Sequence, residues 1–172
     1  MAQMLLTTER MRLRDITIDD VDDLVELDAD PEVRRYVHMP DPPSREQVAT
    51  DLIPRIERLY ALSQGLGFWA AERRDDGAFL GWFHLKPEPL SDDAIALGYR
   101  LGRSYWGSGF ATEGSRALID YAFTTLDLTR LVALALVENT ASIRVMQKVG
   151  MRENARLEIE AGAVVEYEIT RD

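Results

Sequence analysis

The stretch Arg103–Thr112, RSYWGSGFAT, is where residue types and spacing point most directly to chemistry. Gly107 and Gly109 lie between a strand-like segment, AIALGYRL (Ala94–Leu101), and a helical pattern that starts near Ala111. Glycine lets main-chain N–H groups approach a ligand with no Cβ in the way. The start of a helix adds N–H groups without intrahelical partners and a partial positive charge. Together they suit a phosphate or pyrophosphate. Judged locally, a tight strand-to-helix turn that binds nothing explains the pattern equally well. Two nucleotide motifs fail here. GxGxxG would end on Thr112 in place of Gly or Ala, and Walker A needs a Gly-Lys pair that the chain lacks.

Other chemistry-bearing residues are sparse. The chain has no cysteine, which excludes disulfides, thiolate nucleophiles and thiolate zinc sites. Its two histidines, His38 and His84, are far apart and form no HExxH pattern, so no His-rich metal site is expected; carboxylate sites stay open at this point, and no metal ligand is assigned. The net charge of −10 argues against a nucleic-acid groove, which needs a basic surface. An acidic surface attracts cations, amines among them, although −10 also serves plain solubility.

The elements that must position these residues are legible in outline. With 172 residues, 46% of them hydrophobic, one globular domain over residues 1–172 is expected. No apolar run nears the roughly 20 residues of a membrane span, and no secretory leader is evident, so a cytoplasmic protein is expected. MRLR (Met11–Arg14) alternates as a short strand. Thr17 with Asp20 forms a weak capping box before a helix carrying Val21, Leu24 and Leu27, and Pro31 starts a further turn. MPDPP (Met39–Pro43) reads as a loop. Ser44 with Gln47 caps a helix to about Leu62, which Pro54 must kink or split.

Aromatic-rich segments flank Asp75-Asp76-Gly77 as a hairpin, and Ala94–Leu101 is the third strand of that group. A helix with Leu118, Ile119 and Ala122 on one stripe follows the glycine turn. LVALALV (Leu131–Val137) reads as a strand buried on both faces. Asn139 caps a helix from Thr140 that Gly150 ends, and two strands near Met151–Leu157 and Ala163–Thr170 close the chain. The order, β-α-α-β-β-β-α-β-α-β-β, is that of a mixed sheet with helices against it, not of a Rossmann alternation.

GYRLGRSYWGSGFATEGSRALIDYAF resembles motif A of the GNAT acetyltransferase superfamily. YWGSGFATE followed by NTASIRVMQKVGM is similar to the RimJ/RimL-like branch, the ribosomal-protein N-acetyltransferases. TERMRLRDITIDDVDDL and DPEVRRYV extend the resemblance over nearly the whole chain. It implies an α/β (α+β) fold with a mixed, mostly antiparallel central sheet, a splayed strand pair and flanking helices. The family's [QR]xxGx[GA] pattern falls on Trp106, Gly107, Ser108, Gly109, Phe110 and Ala111, with Trp in the first place as in the narrower branch.

The resemblance further implies that amides from Gly107 to Thr112 hold the pyrophosphate of acetyl-CoA, the co-substrate. Main-chain groups near Tyr99, Leu101 and Arg103 would pair with its pantetheine arm, Asn139 would bond that arm from the other side, and Arg144 and Lys148, four apart on one helix, could approach its phosphates.

Acetyl transfer to an amine needs the amine deprotonated, the thioester carbonyl polarised and the leaving thiolate stabilised. The N–H of Leu101 is the implied carbonyl donor. Many family members place a Tyr where this chain has Met146. Ser142, one turn earlier, is the implied partner of the sulfur. Candidate bases are Glu113, Glu72, Glu138 and Glu168. Glu113 alternatively complements the helix N-terminus, and His84 is the weakest base candidate.

Tyr99 and Tyr105 read as packing residues, and Tyr36, Trp69, Trp82 and Phe83 as walls of the acceptor pocket or as core. The leading expectation is an N-acetyltransferase acting by direct attack in a ternary complex on a primary amine, either a protein N-terminus or a small molecule, with a homodimer compatible with the family. The alternatives are a non-catalytic acyl-CoA sensor or regulatory subunit, and a phosphate-binding regulatory domain unrelated to coenzyme A.

Overall fold

The computed structural model describes residues 3–37, 39 and 41–171. Pro40 of the expected loop lies outside them, as does His38. Eight strands form one sheet: β1 Met4–Thr7, β2 Met11–Asp15, β3 Gly67–Arg73, β4 Phe79–Glu88, β5 Ala94–Leu101, β6 Arg130–Leu136, β7 Arg152–Ile159 and β8 Gly162–Thr170. Their order is β1-β2-β3-β4-β5-β6-β8-β7. All neighbours are antiparallel except β5 and β6, so the sheet is mixed and mostly antiparallel, as expected. β1 was not anticipated. Its four residues are half-exposed and carry no alternation, and their extended state follows from pairing with β2.

Among the described residues there are six α-helices: α1 Val21–Ala29, α2 Pro31–Arg34, α3 Arg45–Gln47, α4 Ile53–Leu62, α5 Phe110–Thr124 and α6 Thr140–Lys148. Both capping boxes form, Thr17 with Asp20 and Ser44 with Gln47. The helix carrying Pro54 is split as its chemistry requires. A π turn over Val48–Leu52 separates α3 from α4, placing Pro54 in the first turn of α4, where its missing N–H costs nothing.

Each sheet face buries its own core. Ile16, Val21, Leu24, Ile53 and Ile56 fill the space under α1 and α4. Phe83, Leu85, Leu118, Leu131 and Val165 fill the other face, under α5 and α6. Burying one such side chain is worth about 1.5–3 kcal/mol. Trp69 and Phe83, 2% and 0% exposed, belong to this second core and not to an acceptor pocket.

The feature that makes a site is the join between β5 and β6. They pair at a single position, Ala96 with Val132, and diverge beyond it toward Leu101. The expected splayed pair is therefore present, and a long stretch of β5 edge is left without a strand beside it.

Candidate active site

The divergence opens a cavity of about 670 Å³. Its first wall is β5. Gly102 N–H donates to Leu80 O on β4 at 2.9 Å. Successive N–H groups of a strand point to opposite sides, so the N–H of Leu101, like that of Tyr99, points away from β4 into the gap. Leu101 O faces the same way and accepts from Trp106 Nε1 at 2.8 Å. Trp106 thus fastens the end of β5 to the turn that follows, while its ring stays 48% exposed at the cavity mouth.

The glycine turn is the second wall. Gly107 and Gly109 have φ of +71° and +86°, left-handed values that suit glycine. Gly109 caps α5 with no side-chain hydrogen bond, so the first-turn amides of α5 keep their donors. From behind, Arg10 NH1 donates to Ser108 O at 2.8 Å, and the Arg10 guanidinium lies 4.4 Å over the Phe110 ring. The turn is so held from behind, and Gly107, Gly109 and the first residues of α5 line the slot.

The third wall is α6. Asn139 Oδ1 accepts from Ser142 N at 3.2 Å and caps the helix. The Ser142 Oγ is 3.4 Å from the Tyr99 hydroxyl, across the gap. Burial pushes the Tyr99 phenol up, only partly offset by that contact, so it stays protonated near neutral pH. Met146, 7% exposed, lines the cavity and joins the core.

Of the residues named from sequence, Tyr99 and Leu101 on β5, Trp106, Gly107 and Gly109 in the turn, and Phe110, Ala111 and Thr112 on α5 face this one cavity. Asn139, Ser142, Arg144 and Lys148 face it from α6. Arg103 and Ser108 do not line it; both side chains sit on the outer, exposed side of the turn.

The carboxylates are redistributed. Glu113 is not on the cavity wall. It accepts from Thr8 Oγ1 at 2.6 Å, Arg10 N at 2.9 Å and Arg10 Nε at 2.7 Å. Burial works against its charge, yet these bonds hold the carboxyl below its ordinary range. A carboxylate so fully engaged is a clasp and a poor base, which corrects its candidacy for catalysis. Glu72 is paired with Arg14 at 2.8 Å and Glu168 with Arg130 at 2.8 Å, and neither they nor Glu138 reach the cavity.

The acids that do line it are Glu32 and Glu88, which sequence spacing did not single out. His84 also lines it, but burial, with Lys86 and Arg100 nearby, pushes its imidazole down to about 3. Its Nδ1 is sealed without a partner, so it is not a base near neutral pH.

An open strand edge, a glycine turn at a helix start and a hydroxyl pair across the gap thus meet around one cavity. The Acetyltransferase (GNAT) domain model matches residues 10–152. The uncharacterized N-acetyltransferase p20 of Bacillus licheniformis is 34% identical over 88% of this chain and 84% of its own. The FsC-acetyl coenzyme A-N(2)-transacetylase of Aspergillus fumigatus is 30% identical over 87% of this chain and 66% of its own. The RimL ribosomal L7/L12 alpha-N-protein acetyltransferase, solved with coenzyme A, superposes with a TM-score of 0.84 at 17% identity, covering 98% of both chains.

The chain belongs to the GNAT acetyltransferase family, and it is an acyltransferase. That family uses acetyl-CoA, and the cavity fits it: an unpaired edge for an amide-bearing arm leads to a helix start for phosphate. No helix among the described residues is long and apolar enough to cross a membrane.

Proposed function

We propose that this chain, as one domain, moves an acetyl group from acetyl-CoA to a primary amine by direct attack in a ternary complex. The observation that carries this reading is the pairing of Tyr99 and Ser142 across a splayed strand pair whose outer end is the glycine turn. The coenzyme supplies an activated thioester.

The rest falls to the protein. The N–H of Leu101 polarises the acyl carbonyl and takes up negative charge as the amine adds. Ser142 Oγ–H donates to the departing sulfur. Asn139 fixes the start of α6 and so the position of Ser142. Amides of Gly107 to Thr112 hold the diphosphate, and Arg144 and Lys148 add charge at the same mouth. The amine acceptor enters at the opposite opening, which Glu88 and Glu32 line, and gives its proton there to water or to one of them. No metal or covalent enzyme intermediate enters.

The similarity to ribosomal-protein acetyltransferases supports kinship with the RimJ/RimL-like branch and a cytoplasmic setting. A protein N-terminus and a small amine both remain within this reading. The test is free-thiol release from acetyl-CoA with an amine panel, alongside calorimetric titration with acetyl-CoA. Binding with amine-dependent thiol release is expected. Binding without release from any amine would leave the sensor reading in its place.

A further inference from the structure

The cavity does not stop at the coenzyme side. It passes through the gap between β5 and β6 and opens on the face that carries α1 and α2. There Trp82 pairs with Arg100 and His84 with Gly98 in the β4–β5 register, so Trp82, His84 and Arg100 share one face. The fit is close: a Cβ on Gly98 would lie 2.6 Å from the His84 ring, and the ring stacks on Trp82 at 5.7 Å. The floor of this opening is therefore flat, aromatic and neutral.

Its charges are balanced. Arg100 NH1 donates to Asp28 Oδ1 at 2.6 Å, and the two side chains are 14% and 6% exposed. The guanidinium also lies 5.0 Å over the Trp82 ring, which fixes its plane. Asp28 accepts from one nitrogen of a five-donor fork, and Arg100 itself lines the cavity. Toward the other end, Glu88 sits 3.4 Å from Lys86 and Glu32 sits 3.5 Å from Arg35.

A polyamine would bring several positive charges to a wall with no net negative charge. A plain monoamine would leave the Arg100 fork unused. A zwitterion adds no net charge and uses both ends. Arg100 immediately precedes Leu101, the donor to the acyl carbonyl, so an anion held at Arg100 and a nitrogen attacking in the slot belong to a short molecule.

We propose that the acceptor is an amino acid with an apolar or aromatic side chain, its carboxylate held by Arg100 and its side chain laid on Trp82 and Tyr36. This rests on the acetyltransferase reading above. The attacking α-amine loses one proton and gains the acetyl group, and the departing sulfur gains one proton, so the products are the N-acetylamino acid and the free thiol.

The test measures thiol release from acetyl-CoA with phenylalanine, leucine, phenylalaninamide, a tripeptide that begins with phenylalanine, and spermidine. Phenylalanine is expected to exceed its amide by at least about tenfold in kcat/KM, since a site built for a polar group rejects an analogue that lacks it. In Arg100→Leu with Asp28→Leu, which removes both charges and leaves no lone buried carboxylate, this ratio should collapse toward one. Calorimetric affinity for acetyl-CoA should persist in that variant.

Equal rates for acid and amide, faster reaction of spermidine or the tripeptide, or a ratio that survives the double substitution would each overturn the proposal. So would bound acetyl-CoA with no release from any member of the panel. Failure of the intact protein to bind acetyl-CoA strikes the acetyltransferase reading itself and is told apart by the calorimetry.

Discussion

Arg10 and Glu113, 103 residues apart, clasp the phosphate turn from behind: Glu113 binds both the main chain and the Nε of Arg10, and Arg10 NH1 holds Ser108 O. An isolated pair with a partner 43% exposed stabilises by less than about 1 kcal/mol, so its effect should lie in position more than in stability. Arg10→Ala is expected to raise the KM for acetyl-CoA by about tenfold. It should leave that for S-acetylpantetheine, which lacks the diphosphate, nearly unchanged. Glu113→Gln should follow the same pattern with kcat within about twofold, because the carboxylate is remote from the reacting atoms. A loss of kcat in Glu113→Gln with KM intact would restore it as a base.

Tyr99 and Ser142 form a second unit. If the phenol donates to Ser142 Oγ, the single serine proton is left for the sulfur. Ser142→Ala should lower kcat by about 10²-fold while calorimetric affinity for acetyl-CoA stays within about threefold. Tyr99→Phe, which keeps the ring against Phe83, should lose somewhat less. The double variant should lose no more than Ser142→Ala, since residues acting as a unit are not additive. Multiplicative losses would mean that the two hydroxyls work independently.

His84 makes stability depend on pH. Its imidazole is held down to about 3 in the fold, against 6.5 in an unfolded chain. Below pH 6.5 the unfolded chain takes up a proton that the fold refuses, so stability falls as pH drops from 6.5 toward 3. The slope is at most about 1.4 kcal/mol per pH unit. His84→Phe should flatten that part of a plot of Tm against pH between 6.5 and 4. An unchanged slope would assign acid sensitivity to the carboxylates alone.

Gly81 faces Leu101 across β4 and β5 with φ of +136°. A Cβ there would lie 2.0 Å from Arg100 O and 2.8 Å from Leu101 Cα, main-chain atoms that cannot step aside. Gly81→Ala should therefore cost more than the roughly 1 kcal/mol of a left-handed residue alone, and it should disturb the carbonyl donor. Thermal melting and thiol release should fall together. Retained activity in a destabilised variant would separate this close approach from the site.

What was legible in the sequence divides along physical lines. Caps are local, so Thr17, Ser44 and Asn139 announced their helices, and Pro54 announced the break between α3 and α4. The glycine turn was legible because only glycine takes its φ values without strain. The acids lining the cavity were not. Glu88 sits where strand β4 ends and Glu32 in a single turn of helix, and nothing local marks either. Glu113 was open between a base and a helix N-terminal charge, and neither reading named its partner Arg10, which comes from a hairpin that only the folded sheet brings near. Tyr99 read as packing and is packed, against Phe83, but its hydroxyl meets Ser142 only because β5 and α6 face each other across the splay.

The single pairing of Ala96 with Val132 has a mechanical side. A ladder of main-chain bonds makes a sheet stiff, and here the ladder has one rung. The sheet is in effect two panels joined chiefly by the core beneath α5, which takes side chains from both. A guest whose arm offers alternating donors and acceptors is an honorary strand that bolts the panels together. Slowed amide exchange at Tyr99 and Leu101 would then be acquired with the guest and lost on its release.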